Sequence, residues 1–122
     1  MKIREVAEIL EAKVICGESK IDSVEVTIGY AADLMSDVLA FASPAVLLLT
    51  GLTNVQIFRT AQMLDIPAIV SVRGKIPQEE LLALAKEADM PILLTKNSMF
   101  AACGKLYEKG LLPCVIPDRQ EE

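Results

Sequence analysis

The stretch "AVLLLTGLTNVQIFRTAQMLDIPAIVSV", Ala45 to Val72, decides the fold. It opens on an apolar run, Ala45 to Leu49, with no polar residue alternating through it. A polar loop with one glycine follows, then helical spacing from Val55 to Leu64, then a second apolar run from Ala68 to Val72. Runs this short and this continuous read as strands covered on both faces. A helix between two such strands is the crossover that parallel pairing requires.

The same unit recurs downstream. "PILLT" begins at Pro91, so the three apolar runs start 23 residues apart. Helical spacing follows each: Val55 to Leu64, Gln78 to Asp89 and Ser98 to Lys109. The punctuation agrees. Pro77 suits a first helical turn, and the acidic Glu79 and Glu80 behind it suit the positive end of the helix dipole. Asn97 or Ser98 can cap the last helix, and Gly110 can end it.

Upstream, "KIREVAEILEA" places Ile3, Val6, Ile9 and Leu10 on one helical face. "KVICG" reads as a short strand closed by Gly17, and "SVEVTIGY" alternates like a half-buried strand. "DLMSDVLAFA" returns to helical spacing, with Asp33 as the expected cap. The pattern predicts an α/β three-layer sandwich with a mostly parallel sheet of about five strands. A single domain is expected over residues 1–117, followed by a frayed tail over residues 118–122.

The chain has 122 residues, 52% hydrophobic but only 4% aromatic, and a net charge of −5. That is an aliphatic core in an acidic protein, which argues against binding nucleic acid or an anionic membrane. No apolar run approaches the roughly 18 residues of a membrane span. "MKIREVAEIL" has charges where a signal peptide needs an apolar stretch. Cys16, Cys103 and Cys114 are widely spaced and odd in number, as expected for free thiols in a reducing cytoplasm. Mean hydropathy is +0.41. That surplus of apolar residues predicts a homodimer, with "LLALA" (residues 81–85) or "LLPCVIP" (residues 111–117) on the shared surface.

Ligands of open α/β sheets bind beyond the carboxyl ends of the strands. Three loops emerge there: "TGLTN", "VRGKIP" and "TKNS". They gather Thr50, Gly51, Thr53, Asn54, Arg73, Gly74, Lys75, Lys96 and Ser98 as candidate ligand-binding residues. Arg73, Lys75 and Lys96 bring cations to this rim, whereas no Lys or Arg lies between Lys20 and Arg59. Helix N-termini behind the same loops add N–H donors, so an anionic ligand is expected. Ordinary turns stay open as the other reading, with Gly51 supplying only a positive φ and Asn54 only a cap. "DLMSD" offers Asp33, Ser36 and Asp37; Asp33 and Asp37 would share a helix face, to bind a metal, exchange protons or solvate a helix start.

Much catalytic chemistry is excluded. The chain has no histidine, which removes a His base, a His-dependent triad and a His-ligated metal. Neither G-x-x-x-x-G-K-[ST] nor G-x-G-x-x-G occurs. No cofactor, no metal and no catalytic residue are expected.

The stretches "GYAADLMSDVLA", "LLLTGLTNVQIFRTAQML", "AIVSVRGKIPQEEL" and "PILLTKNSMFAACGKLYEKGL" together resemble the DRTGG domain. They are also similar to the N-terminal domain of HPr kinase/phosphorylase and to a regulatory segment of some bacterial phosphotransacetylases. Gly51, Gly74 and Pro77 match the family pattern. Leu52 and Thr53 stand where it has Asp-Arg, and Val72 and Arg73 where it has Thr-Gly. The resemblance implies a free-standing regulatory or sensory module without its own catalysis. It would bind an anionic metabolite or nucleotide, or alternatively serve as a protein-interaction module that docks an enzyme or kinase without a small ligand.

Overall fold

The computed structural model describes residues 1–115. The end of the expected domain at residue 117 and the tail at 118–122 lie outside the described residues.

The elements run α1 (Ile3–Leu10), β1 (Lys13–Cys16), β2 (Ile28–Ala31), α2 (Met35–Phe41), β3 (Leu47–Thr50), α3 (Val55–Met63), β4 (Ala68–Ser71), α4 (Glu79–Ala88), β5 (Ile92–Leu94), α5 (Met99–Glu108) and β6 (Leu112–Pro113). The six strands form one sheet in the order β1-β5-β4-β3-β2-β6. Every pairing is parallel except β1 with β5. The sheet holds one strand more than expected, because the proline-containing segment after α5 still pairs through two residues with β2.

The apolar runs are buried on both faces, as their lack of alternation predicts. In β3, Leu47 and Leu49 pack with Ile3, Val6 and Leu10 of α1 and with Ala102 and Leu106 of α5. Leu48 points the other way, among Val38 of α2, Ile57, Phe58 and Ala61 of α3 and Leu81 and Ala85 of α4. The result is the expected three-layer sandwich. Each fully buried Leu, Ile or Val contributes about 1.5–3 kcal/mol relative to exposure.

"SVEVTIGY" divides. Only its second half joins the sheet as β2. The first half runs beside the N-terminus instead, where Glu25 bridges to Lys2 and the Met1 amino group donates to the Val26 carbonyl at 2.9 Å. Val26 is nevertheless buried, so the alternation reported burial without reporting the sheet. Within "LLALA", Leu81 and Ala85 belong to the chain's own core beneath α4, and Leu82, Ala83 and Leu84 are the residues left partly or fully exposed.

Candidate functional site

The connections that leave the sheet place the site. β2, β3 and β4 are each followed by a helix on one face, α2, α3 and α4. β5 is followed by α5 on the other face. The adjacent strands β4 and β5 therefore send their chains in opposite directions, the arrangement at which open α/β sheets hold ligands.

The loops there are tied together through backbone groups. Arg73 N–H donates to the Asn97 carbonyl at 2.8 Å and Gly74 N–H to the Thr95 carbonyl at 2.9 Å. Val72 N–H reaches the Thr50 carbonyl at 3.1 Å, and Gln78 N–H the Thr53 carbonyl at 2.9 Å. The hydroxyl of Ser71 donates to the carbonyl of Lys75, closing the turn between them. Two successive left-handed residues make this turn, Arg73 at φ 60° and Gly74 at φ 65°. The position is unusual for arginine.

That turn splits the rim in two. On the β3 side, the Arg73 side chain lies over Gly51. A Cβ on Gly51 would sit 2.1 Å from one guanidinium nitrogen, so the glycine makes room for the guanidinium, and Gly51 is not among the residues of positive φ. Arg73 Nη1 pairs with Asp33 Oδ2 at 3.1 Å. Asp33 Oδ1 also accepts from Gly51 N–H at 2.6 Å and from the buried Thr50 hydroxyl at 3.4 Å. Partial burial pushes the Asp33 carboxyl up. The Gly51 N–H and Arg73 outweigh it and hold the group below the usual carboxylate range.

This corrects two expectations about "DLMSD". Asp33 does not cap α2, because Leu34 occupies that position and makes no side-chain cap. Asp33 and Asp37 do not share a helical face either, because the helix begins only at Met35. Three donors across the sheet edge compete for the carboxylate and win it from the helix. Ser36 and Asp37 lie in the first turn of α2.

On the β5 side the rim is open. A cleft of about 690 Å³ is lined by Lys13, Lys96, Glu11, Asn97, Gly74 and Ile76, with Leu10 and Leu94. Its floor is a polar knot. The Thr95 hydroxyl and the Asn97 amide both donate to the Leu10 carbonyl at 2.9 Å, and the amide also donates to the Thr95 hydroxyl at 2.8 Å. Lys105 Nζ donates to Asn97 Oδ1 at 2.9 Å. The knot satisfies the carboxyl end of α1 and holds "TKNS" rigid against it.

The candidate residues thus fall in separate places. Gly74 and Lys96 line the open cleft. Thr50, Gly51 and Arg73 form the closed cluster with Asp33. Asn54 caps α3 by accepting from Ile57 N–H at 3.2 Å, and Ser98 caps α5 by accepting from Ala101 N–H at 3.1 Å. Thr53 joins two loops through its carbonyl, and Lys75 is exposed beyond the turn. Sequence reasoning missed Lys13 and Glu11. They arrive from the chain's beginning, because β1 runs antiparallel to β5 and pairs Lys13 with Leu94 at the rim. Asn97 was legible only as a cap.

No helix among the described residues is long and apolar enough to cross a membrane. Cys16, Cys103 and Cys114 are free thiols; burial pushes those of Cys16 and Cys103 up.

Comparison with known proteins adds the family. No curated protein matches the chain. Among solved structures, it is similar to the CBS and DRTGG domains of the regulatory region of a Clostridium perfringens pyrophosphatase, a structure complexed with the activator diadenosine tetraphosphate. The TM-score is 0.67 at 19% identity, over 98% of this chain and 51% of that one. The present chain therefore spans about half of that structure's length, and at this identity the likeness concerns the fold. The model of the DRTGG domain matches residues 5–108, from α1 to the end of α5. With the matched segment reaching over both faces of the sheet and all three rim loops, the chain belongs to the DRTGG domain family.

Proposed function

We propose that this chain is a noncatalytic regulatory module that senses an anionic metabolite or nucleotide in the cleft beside β5, and passes the signal to a partner enzyme. One observation carries the reading. At the point where the strand connections diverge, an open cleft is flanked by Lys13 and Lys96, with only Glu11 opposing them among its lining residues. In an acidic chain, two cations on a rigid polar floor form a local positive field. The pyrophosphatase regulatory region of similar fold, complexed with a nucleotide activator, supports the ligand class.

Replacing Lys13 and Lys96 together by alanine tests this. Pyrophosphate, ATP and diadenosine tetraphosphate are first screened by thermal shift. Titration calorimetry then compares wild type and the double variant with whichever anion stabilises. Each charge-assisted contact contributes about 1.5–3 kcal/mol gross, so affinity is expected to fall at least about tenfold while the fold survives. Equal affinities, or no stabilising anion in the screen, would remove the ligand-sensing reading.

The module is further proposed to act as a homodimer joined at the β6 edge. β6 ends the sheet. Beside it an apolar groove of about 350 Å³ runs between α5, β2 and β6. Phe100 is 89% exposed, Tyr107 66% and Leu112 58%. This concentrates apolar surface on one self-facing edge, as a twofold contact requires. Light scattering should give twice the chain mass at micromolar concentration, and Phe100→Glu should return it to the monomer. A wild-type monomer mass throughout would count decisively against the dimer.

A further inference from the structure

The closed half of the rim has the donor set of an anion site, already filled from within. Gly51 N–H, the Thr50 hydroxyl and the Arg73 guanidinium converge on one carboxylate, that of Asp33, at 2.6, 3.4 and 3.1 Å. The guanidinium lies against Gly51, in the space that a Cβ there would take. An N–H and a guanidinium side by side at the end of a buried strand suit an oxygen-rich anion.

The carboxylate is open to solution. The side chains of Arg73 and Asp33 are 43% and 42% exposed, so solvent and solutes reach the pair. The cap position of α2 falls on Leu34, so Asp33 has no capping bond to that helix to lose. Part of the donor set is fixed: Thr50 is buried, and the Arg73 backbone is held by the Asn97 carbonyl in its left-handed conformation. The guanidinium and the carboxylate are the exposed members of the cluster.

We propose that Asp33 is a displaceable internal anion, and that a phosphoryl group of a small ligand binds at Gly51 and Arg73 by taking its place. A phosphoryl group offers three acceptor oxygens and more charge than a carboxylate, so it competes for the same donors. Asp33 then acts as a selectivity element, since weaker anions do not dislodge it. Asp33 also stands at the junction of β2 and α2, so its displacement moves the loop that leads into α2 and carries occupancy of the seat toward that helix. This inference concerns the opposite half of the rim from the lysine cleft and stands or falls independently of it.

The probe is inorganic pyrophosphate, titrated calorimetrically into wild type, Asp33→Asn and Asp33→Asn/Arg73→Ala. Removing the competing charge is expected to tighten binding on the order of tenfold in Asp33→Asn, and the added Arg73→Ala should abolish that gain. A folded Asp33→Asn protein with unchanged or weaker affinity overturns the proposal. Wild type supplies a second readout that does not depend on any variant folding. In amide NMR, the Gly51 resonance and those of Leu34 to Asp37 should shift together and saturate with millimolar pyrophosphate. If the Gly51 amide does not move, Asp33 is not displaced. The same titrations made in the Lys13→Ala/Lys96→Ala background exclude pyrophosphate held by the lysine cleft, so the two ideas fail separately.

Discussion

Gly17→Ala is expected to destabilise the protein by roughly 2–5 kcal/mol, from the left-handed penalty and forced overpacking together. Gly17 closes β1 at φ 78°, a conformation that costs a side-chain-bearing residue energy. The space is also taken. A Cβ there would lie 2.4 Å from the backbone nitrogen of Pro91 and 2.5 Å from its Cα. These are main-chain atoms at the entry to β5, so no rotamer change relieves the contact. Relief requires β1 to move away from β5, which opens the sheet's only antiparallel pairing among the described residues and shifts Lys13 at the cleft. Denaturant unfolding should show a lower midpoint at unchanged slope. A midpoint equal to that of wild type would mean that the turn is far softer than the packing implies.

The second large effect separates a doubly covered sheet from a half-exposed one. Leu47→Ala and Leu48→Ala should each cost about 2–5 kcal/mol. The two side chains point to opposite faces of β3, and both are fully buried. Leu47 packs in the layer of α1 and α5, and Leu48 in the layer of α2, α3 and α4. In a sheet with one wet face, one of the two substitutions would be nearly neutral. Thermal unfolding of the two variants measures this. One near-neutral single variant would contradict the three-layer packing.

The likeness of the strand repeats made the central frame readable. β3, β4 and β5 follow apolar runs that start at Ala45, Ala68 and Pro91. Continuous burial leaves an unbroken apolar run, and helices of similar length impose a constant spacing. The caps were equally local. Asn54 and Ser98 hydrogen-bond amides only three residues away, so their role is written in the neighbouring sequence. Where pairing partners are distant in the chain, local reading fails. "SVEVTIGY" alternated throughout, yet half of it pairs with the N-terminus rather than with the sheet. β6 is two residues long and carries a proline, too little for any periodicity to show.

The rim shows the same division more sharply. Sequence by itself determined the parallel strand frame, the family pattern and the three loops that meet at the strand ends, because each is set by residues close together in the chain. Tertiary structure alone decided which charges are free. Asp33 and Arg73 lie 40 residues apart and pair across three strands, so a cation that reads as free already has a partner within the chain. Lys13 and Lys96 lie far apart in the chain and face one cleft only because β1 turns back along β5. The physical reason is range. Propensity, capping and apolar periodicity act over a few residues, whereas electrostatic pairing depends on distance in space, which only the folded sheet defines.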